Sequence, residues 1–397
     1  MINSVKSSLI SYYYLIAIAV YFSGIYLPFV RVGLFMSLII GLIIIILLKN
    51  KNFRLRKGLD MLILAYAGYN LLSFVSFIFS DLPLSVYFKE FSNSILPIIP
   101  FYFFGRLNYQ NSFFKIALYS FVACFIIGFY FQLMLPMNYM IFMDNLDSSG
   151  TNPLGYTVNY RSIIGVTATG ALGAIGLLLS FSLLYNSKFK KGKIAFLICF
   201  VTLILSFRRA ALYTGLFAVL WMNVLLLLKF KGSKFKLLFF EFLVLFSFLY
   251  WLIDSNPDFL SDLFERFNSF SEAIDGRSNS WLSGLESTQN VLFGDGLGRY
   301  GHKAVEYSDM YIPDGNYFRM IAELGVFGFL LFLLIIFVAL YKGFSKIKNH
   351  YIQLCIIIMV CMQAVGSDMF SYQLVAPIFW FSIGACNKLD PAIRKMY

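Results

Sequence analysis

Charge is what this sequence has least of. Only 13% of its 397 residues are Asp, Glu, Lys or Arg, while 59% are hydrophobic. A water-soluble fold of this length cannot hide so much apolar surface, so the solvent has to be lipid. Histidine is nearly absent, with two in the chain. No HExxH run and no Asp-x-Asp pair offers to hold a divalent ion beside a phosphate, which predicts chemistry without a metal or other cofactor. Five cysteines (Cys124, Cys199, Cys355, Cys361 and Cys386) fall in or at the end of apolar segments. They are odd in number and lack metal-ligand spacing, which argues against a disulfide or metal framework. No period of 20–50 residues repeats, and no pair of inverted, Gly/Pro-broken spans is seen, which speaks against a solenoid or a secondary transporter.

Acid is scarcer than base, and the formal net charge is +12. By number alone that would suit nucleic acid. By position it does not: 22 of the 32 Lys and Arg residues lie in the amino terminus, five short connectors and the carboxy-terminal tail. Cations so placed orient spans in a membrane.

The apolar segments run over about 9–30, 32–48, 59–80, 86–104, 113–135, 163–185, 194–207, 210–228, 237–253, 318–341, 352–370 and 374–386. Each approaches the ~20 residues that a bilayer core requires. The expected fold is an all-α integral membrane protein of about twelve transmembrane helices. The weakest spans are 86–104, which carries Lys89 and Glu90 near its start, and the short last one. Lys6 before the apolar run from Leu9 to Val30, with no small-residue cleavage site and a second span following at once, reads as a retained signal-anchor. The basic connectors at 49–57, 106–115, 188–193, 229–236 and 342–348 all fall between even and odd spans, which puts them and both termini in the cytoplasm.

Three regions follow. Residues 1–253 form spans one to nine, 254–317 a long extracytoplasmic loop, and 318–397 the last three spans and a cytoplasmic tail. The loop and the start of its return helix, through Glu323, hold 12 of the 20 acidic residues. Within 257–274, Phe259, Leu260, Leu263, Phe264, Phe267, Phe270 and Ile274 recur at helical intervals, as in an amphipathic helix on a membrane surface or on the loop's own core.

Polar residues that could carry chemistry are few. Arg208 and Arg209 stand between apolar runs of 14 and 18 residues. An Arg at the centre of a span costs ~2.5–3.5 kcal/mol on insertion scales, so a pair at a span end calls for a reason beyond snorkelling. Arg161 is another outward-facing arginine. Arg277, expected in a loop before a short helix, offers a planar fork matched to phosphate oxygens, or else a local salt bridge to Asp275 or Glu272. Gly294, Gly296 and Gly298 alternate in a tight turn that lets backbone approach a substrate or another helix. Asp314 and Asn316 precede the helix 317–341, where an ordinary N-cap would also put them.

The stretch from Gly276 to Gly328 resembles the carboxy-terminal half of the O-antigen ligase and polymerase superfamily. It has Arg277 with Trp281 four residues on, a GxGxG turn, then Asn316 opening a helix marked by Glu323-Leu324-Gly325. The resemblance extends over about 150–340. It implies a glycosyltransferase with a GT-C-like membrane fold, similar to Wzy-type O-antigen polymerases. The implied substrate is an undecaprenyl-diphosphate-linked glycan, in the bacterial inner membrane, with a partner that sets chain length. It also implies roles: Arg209, Arg277 and Asp314 in catalysis, and Arg161, Arg208, Trp281, Gly296, Gly298, His302, Asn316 and Glu323 at the substrate. Aligning on Ser206 and Ala210 makes Arg209 the family's arginine and Arg208 a departure from its usual serine. Gly315 stands where the ligase branch has a His proposed to act on the acceptor hydroxyl, leaving Asp314 or His302 as the base. Related readings are a ligase, a protein O-oligosaccharyltransferase and a lipid-linked oligosaccharide flippase.

Overall fold

A computed structural model describes residues 12–23, 57–107, 110–134, 162–185, 189–206, 208–229, 270–308, 310–312 and 314–388, with a few isolated positions besides. Arg161, the expected span 32–48, and most of the expected span 237–253 and of the amphipathic segment 257–274 lie outside the described residues. Among those described, regular structure is helical throughout. The helices are α1 (Tyr13–Ser23), α2 (Leu59–Ile78), α3 (Leu84–Ser94), α4 (Ile98–Arg106), α5 (Gln110–Met134) and α6 (Val166–Tyr185). They continue as α7 (Phe189–Leu205), α8 (Arg209–Lys229), α9 (Phe270–Glu286), α10 (Asn316–Ser345), α11 (Ile347–Gln363) and α12 (Ala376–Cys386).

Among the described residues, three stretches are long and apolar enough to cross a membrane: Leu59–Ile78, Phe113–Met134 and Asn316–Ser345. Large apolar side chains stand exposed along them, among them Leu72, Ile78, Leu133, Phe337 and Tyr341. Water would penalise such a surface; lipid does not. The expected span 86–104 is instead two helices, α3 and α4, parted by a turn at 95–97. Pro97 explains the break, since it lacks an N–H and pushes the residue before it out of the helical region. The span expected over 352–370 also ends early, at Gln363, and residues 364–375 form turns.

Helix α10 packs on α2, α11 and α12, and a buried aromatic cluster of Tyr66, Phe332, Phe370, Phe379 and Trp380 fills the space between them. One end of this bundle is tied by Asp60, Tyr102, Arg106, Lys342 and Asn387. Tyr102 donates to Asp60 at 2.6 Å, Asn387 to Asp60 at 2.9 Å and Lys342 to Asn387 at 2.6 Å, while Arg106 pairs with Asp60. The other polar end carries the candidate site. A helix of α2's length separates the two by ~30 Å, about the thickness of a bilayer core.

Near that second end α10 is broken. Gly325 has φ 67° and ψ 178°, a region essentially closed to any residue with a Cβ. The break releases backbone groups from the helix ladder, and in a membrane each needs a new partner. Residues 291–296 supply them. Asp295 N–H and Gly296 N–H donate to the carbonyls of Ala322 and Glu323 at 3.0 Å each. Val326 N–H and Phe327 N–H donate to the carbonyls of Val291 and Leu292 at 2.9 and 3.3 Å. The hydroxyl of Tyr69 reaches the Leu324 carbonyl at 2.7 Å. Gly325→Ala is therefore expected to cost about 1–3 kcal/mol in backbone strain alone, with a further clash against the Leu292 carbonyl. Thermal unfolding of the detergent-purified chain checks this, and an unchanged midpoint would refute the joint.

Candidate active site

The site grows from the start of α10. Asp314 sits at φ +53°, one of two described non-glycine residues with positive φ, and this left-handed turn aims its carboxylate at Arg277, 3.4 Å away. Arg277 belongs to helix α9, not to the expected loop. One turn on, the Trp281 ring stacks on Phe318 at 4.7 Å and lies against Gly315. A Cβ on Gly315 would come within 2.7 Å of the Trp281 indole nitrogen, so glycine is what lets the tryptophan seat there.

Asn316 fastens this corner to the turn segment 364–371. Its N–H donates to the Ala364 carbonyl at 3.2 Å, its side-chain amide donates to Asp368, and its side-chain oxygen accepts from Phe370 N–H at 3.1 Å. Arg277 reaches the same segment, its guanidinium lying beside Gly366. Arg208 shares a small cavity with Gln363, Ser367 and Met369. Two arginines from distant parts of the chain thus reach one stretch of backbone.

Beneath it lies a buried ionic knot. The Arg319 guanidinium pairs with Glu90 at 3.0 Å, Glu323 at 3.8 Å and Asp368, and donates to the Ser371 hydroxyl at 2.9 Å. Glu323 also accepts from Tyr300 N–H at 3.1 Å, and Glu90 from the Ser94 hydroxyl at 2.6 Å. Arg319 is thereby committed to carboxylates, whereas Arg277 has one ion pair among the described residues, with Asp314, and remains 40% exposed in its side chain. Of the two, Arg277 is placed to meet an anion from outside.

Other expected site residues fall elsewhere. Arg209 opens α8 and is half-buried; Arg208, just before the helix, is the one that lines the cavity. Gly294, Gly296 and Gly298 have φ of 79°, 106° and 90°. A Cβ on Gly296 would strike Phe77 of α2, and one on Gly298 would crowd Glu90 of α3. Their close approach is to helices. Asp295, between them, accepts from Gln289 N–H, Asn290 N–H and the Tyr300 hydroxyl at 3.0, 2.9 and 2.7 Å. His302 is exposed and lies 2.9 Å from the Tyr311 hydroxyl. Burial raises the pKa of that phenol, and the charges of Asp314 and Asp368 raise it further, so Tyr311 stays protonated at the site's edge.

Glu90, Arg319, Gln363, Ser367 and Asp368 were not singled out by the sequence. A carboxylate inside an apolar segment was the available signal, because a charge there needs a partner.

The fold and site define a multi-pass membrane protein whose arginines gather around one backbone segment at one end of a helix bundle. Residues 194–333 match the family model described as O-antigen ligase. The match spans about a third of the chain and overlaps the stretch whose motifs resemble the O-antigen ligase and polymerase superfamily. The match takes in Arg208, Arg277, Asp314 and Arg319, and leaves Glu90 and Asp368 outside it. No curated protein matches the chain.

Proposed function

We propose that this chain polymerises oligosaccharide repeat units carried on undecaprenyl diphosphate, on the periplasmic face of a bacterial inner membrane. The observation that carries the reading is the convergence of Arg208 and Arg277 on the 363–368 segment, with Asp314 paired to Arg277. Such a setting suits a substrate with a lipid tail, an anionic diphosphate and a glycan. The acceptor sugar's hydroxyl oxygen bonds to the anomeric carbon of the donor. The bond from that carbon to the diphosphate oxygen breaks, and lipid diphosphate leaves with the electron pair. Arg208 and Arg277 stabilise the charge that develops on the departing phosphate. Asp314 takes the proton from the attacking hydroxyl, and Tyr311 and Asn316 bound the acceptor side. Arg209 adds positive potential near the lipid phosphate. A chain-length regulator is the protein partner this reading implies.

Ligation to a lipid acceptor is the second reading, favoured by the description of the matched family. Against it stands the position of Gly315, where the seated Trp281 leaves no room for the histidine of the ligase branch. Cells lacking the gene separate the two when their surface glycans are resolved on gels. Polymerase activity predicts single repeat units on lipid A core, with the ladder restored by wild type and not by Arg208→Ala or Arg277→Ala at matched membrane levels. Lipid-linked polymer accumulating on the periplasmic face with bare core would mean a ligase. Single units held on the cytoplasmic side would mean a flippase and overturn both.

A further inference from the structure

The turn between α9 and the glycine-rich segment is apolar at its tip. Val291, Leu292 and Phe293 follow one another and are 54%, 55% and 53% exposed. No charged residue lies between Glu286 and Asp295. Water would penalise three apolar side chains bared together. Helix α10 sets their height relative to the bilayer. No Asp, Glu, Lys or Arg interrupts it between Glu323 and Lys342. The 18 residues between those two charges rise about 27 Å as a helix, scarcely the ~30 Å of a hydrocarbon core. Such a run has no length to spare, so its first turn belongs to the core as well. It is this turn that the tip joins: the carbonyls of Val291 and Leu292 accept from Val326 and Phe327 N–H. The Phe293 ring lies 5.4 Å from that of Phe327, and Phe327 and Leu330 are themselves half-exposed on the same side of the joint.

The backbone supplies a second, independent observation. Non-helical backbone at membrane depth persists only where protein groups pair its donors and acceptors. Gln289 N–H and Asn290 N–H donate to the Asp295 carboxylate at 3.0 and 2.9 Å. Phe293 N–H donates to the Asn290 side-chain oxygen at 3.1 Å, and Gly294 N–H to the Asn290 carbonyl at 2.7 Å. The Tyr69 hydroxyl lies 3.2 Å from the Phe293 carbonyl. A turn in water has no need of so full a pairing.

We propose that the turn 290–294 is inserted into the bilayer leaflet on the side of the candidate site, with Val291, Leu292 and Phe293 among the lipid acyl chains. The segment before α10 is then no free aqueous loop; it dips into the membrane between α9 and the glycines. Because α9 ends at Glu286, a few residues before the tip, the insertion holds that helix, and Arg277 on it, close above the acyl chains.

The full chain in nanodiscs of phosphatidylethanolamine and phosphatidylglycerol tests this with a nitroxide carried on an encoded azido side chain, which leaves the native cysteines untouched. At position 292 or 293 the label should relax mainly through collisions with oxygen, which partitions into lipid, and little through a water-soluble nickel chelate. The same label in place of Phe337, exposed on α10, and of Lys303, exposed beyond the glycines, gives the lipid and water limits. Contact with the nickel complex equal to that at position 303 would put the tip in water and overturn the proposal. Shielding from both reagents would mean that another stretch of this chain or a second copy covers the tip, and would overturn it equally. Leu292→Asp should lower the unfolding midpoint in nanodiscs by several degrees, while Leu292→Ala should barely move it, because only the first sets a charge in hydrocarbon. A residue facing water would tolerate both, so an unchanged midpoint in Leu292→Asp would count against insertion.

Discussion

Arg277→Ala is expected to slow the proposed glycosyl transfer by about 10²–10³-fold, the typical effect of removing one preorganised donor from a developing anion. It should do so without unfolding the protein. The Arg277–Asp314 pair is 40% and 33% exposed in its two side chains, and exposed ion pairs contribute roughly 0–1 kcal/mol. Arg277→Lys should recover only part of the rate, because an ammonium is a point charge and cannot grip a phosphate through two parallel bonds. Initial rates on a synthetic lipid-diphosphate trisaccharide, set beside unfolding midpoints, check both halves. A full rate in Arg277→Ala would remove the arginine from the chemistry. Asp314→Asn sharpens the result, since Asn tolerates the left-handed backbone and still accepts from Arg277 but binds no proton at neutral pH. A rate loss there assigns the base; a wild-type rate reduces Asp314 to holding its partner.

The second large effect is on stability. Arg319→Met should lower stability by about 3–5 kcal/mol or prevent accumulation of the protein. The guanidinium is 7% exposed and faces three carboxylates, Glu90, Glu323 and Asp368. Removing it leaves those acids buried in a low dielectric with no cation between them. Adding Glu90→Gln and Glu323→Gln to Arg319→Met should restore much of the loss, because the two most buried acids are then neutral and only Asp368, 18% exposed in its side chain, stays charged. Unfolding midpoints of the single and triple variants decide it. A stable single variant would show that the knot is not holding α3, α10 and the 364–371 segment together.

How much of this was legible beforehand depends on the reach of each signal. Apolar length is local, and it located α2, α5, α8 and α10 to within a few residues of their observed ends. Pro97 was equally local, yet an apolar run read by its mean hydropathy conceals the break it makes. Contacts between distant segments left no trace of that kind. Glu90 and Arg319 are 229 residues apart, and read singly Glu90 was a flaw in a span. The glycines at 294, 296 and 298 were visible as a turn, but which surface they approach depends on where α2 and α3 lie. Gly325 was visible in the Glu323-Leu324-Gly325 pattern, but nothing in that pattern said that the helix breaks there, since a glycine in a helical run is commonplace.

The joint in α10 has a practical corollary for anyone who wishes to retarget such a protein. Residues 291–296 are not an appendage of the membrane bundle; they complete the backbone of one of its helices. Loop and helix are in that sense a mortise and tenon, cut to each other. Exchanging the loop with that of a relative, in the hope of importing a new sugar preference, would leave the joint open if the cut fell between them. A workable chimera carries 289–327 across as one piece, and freedom to vary is left to the stretches on either side of the turn.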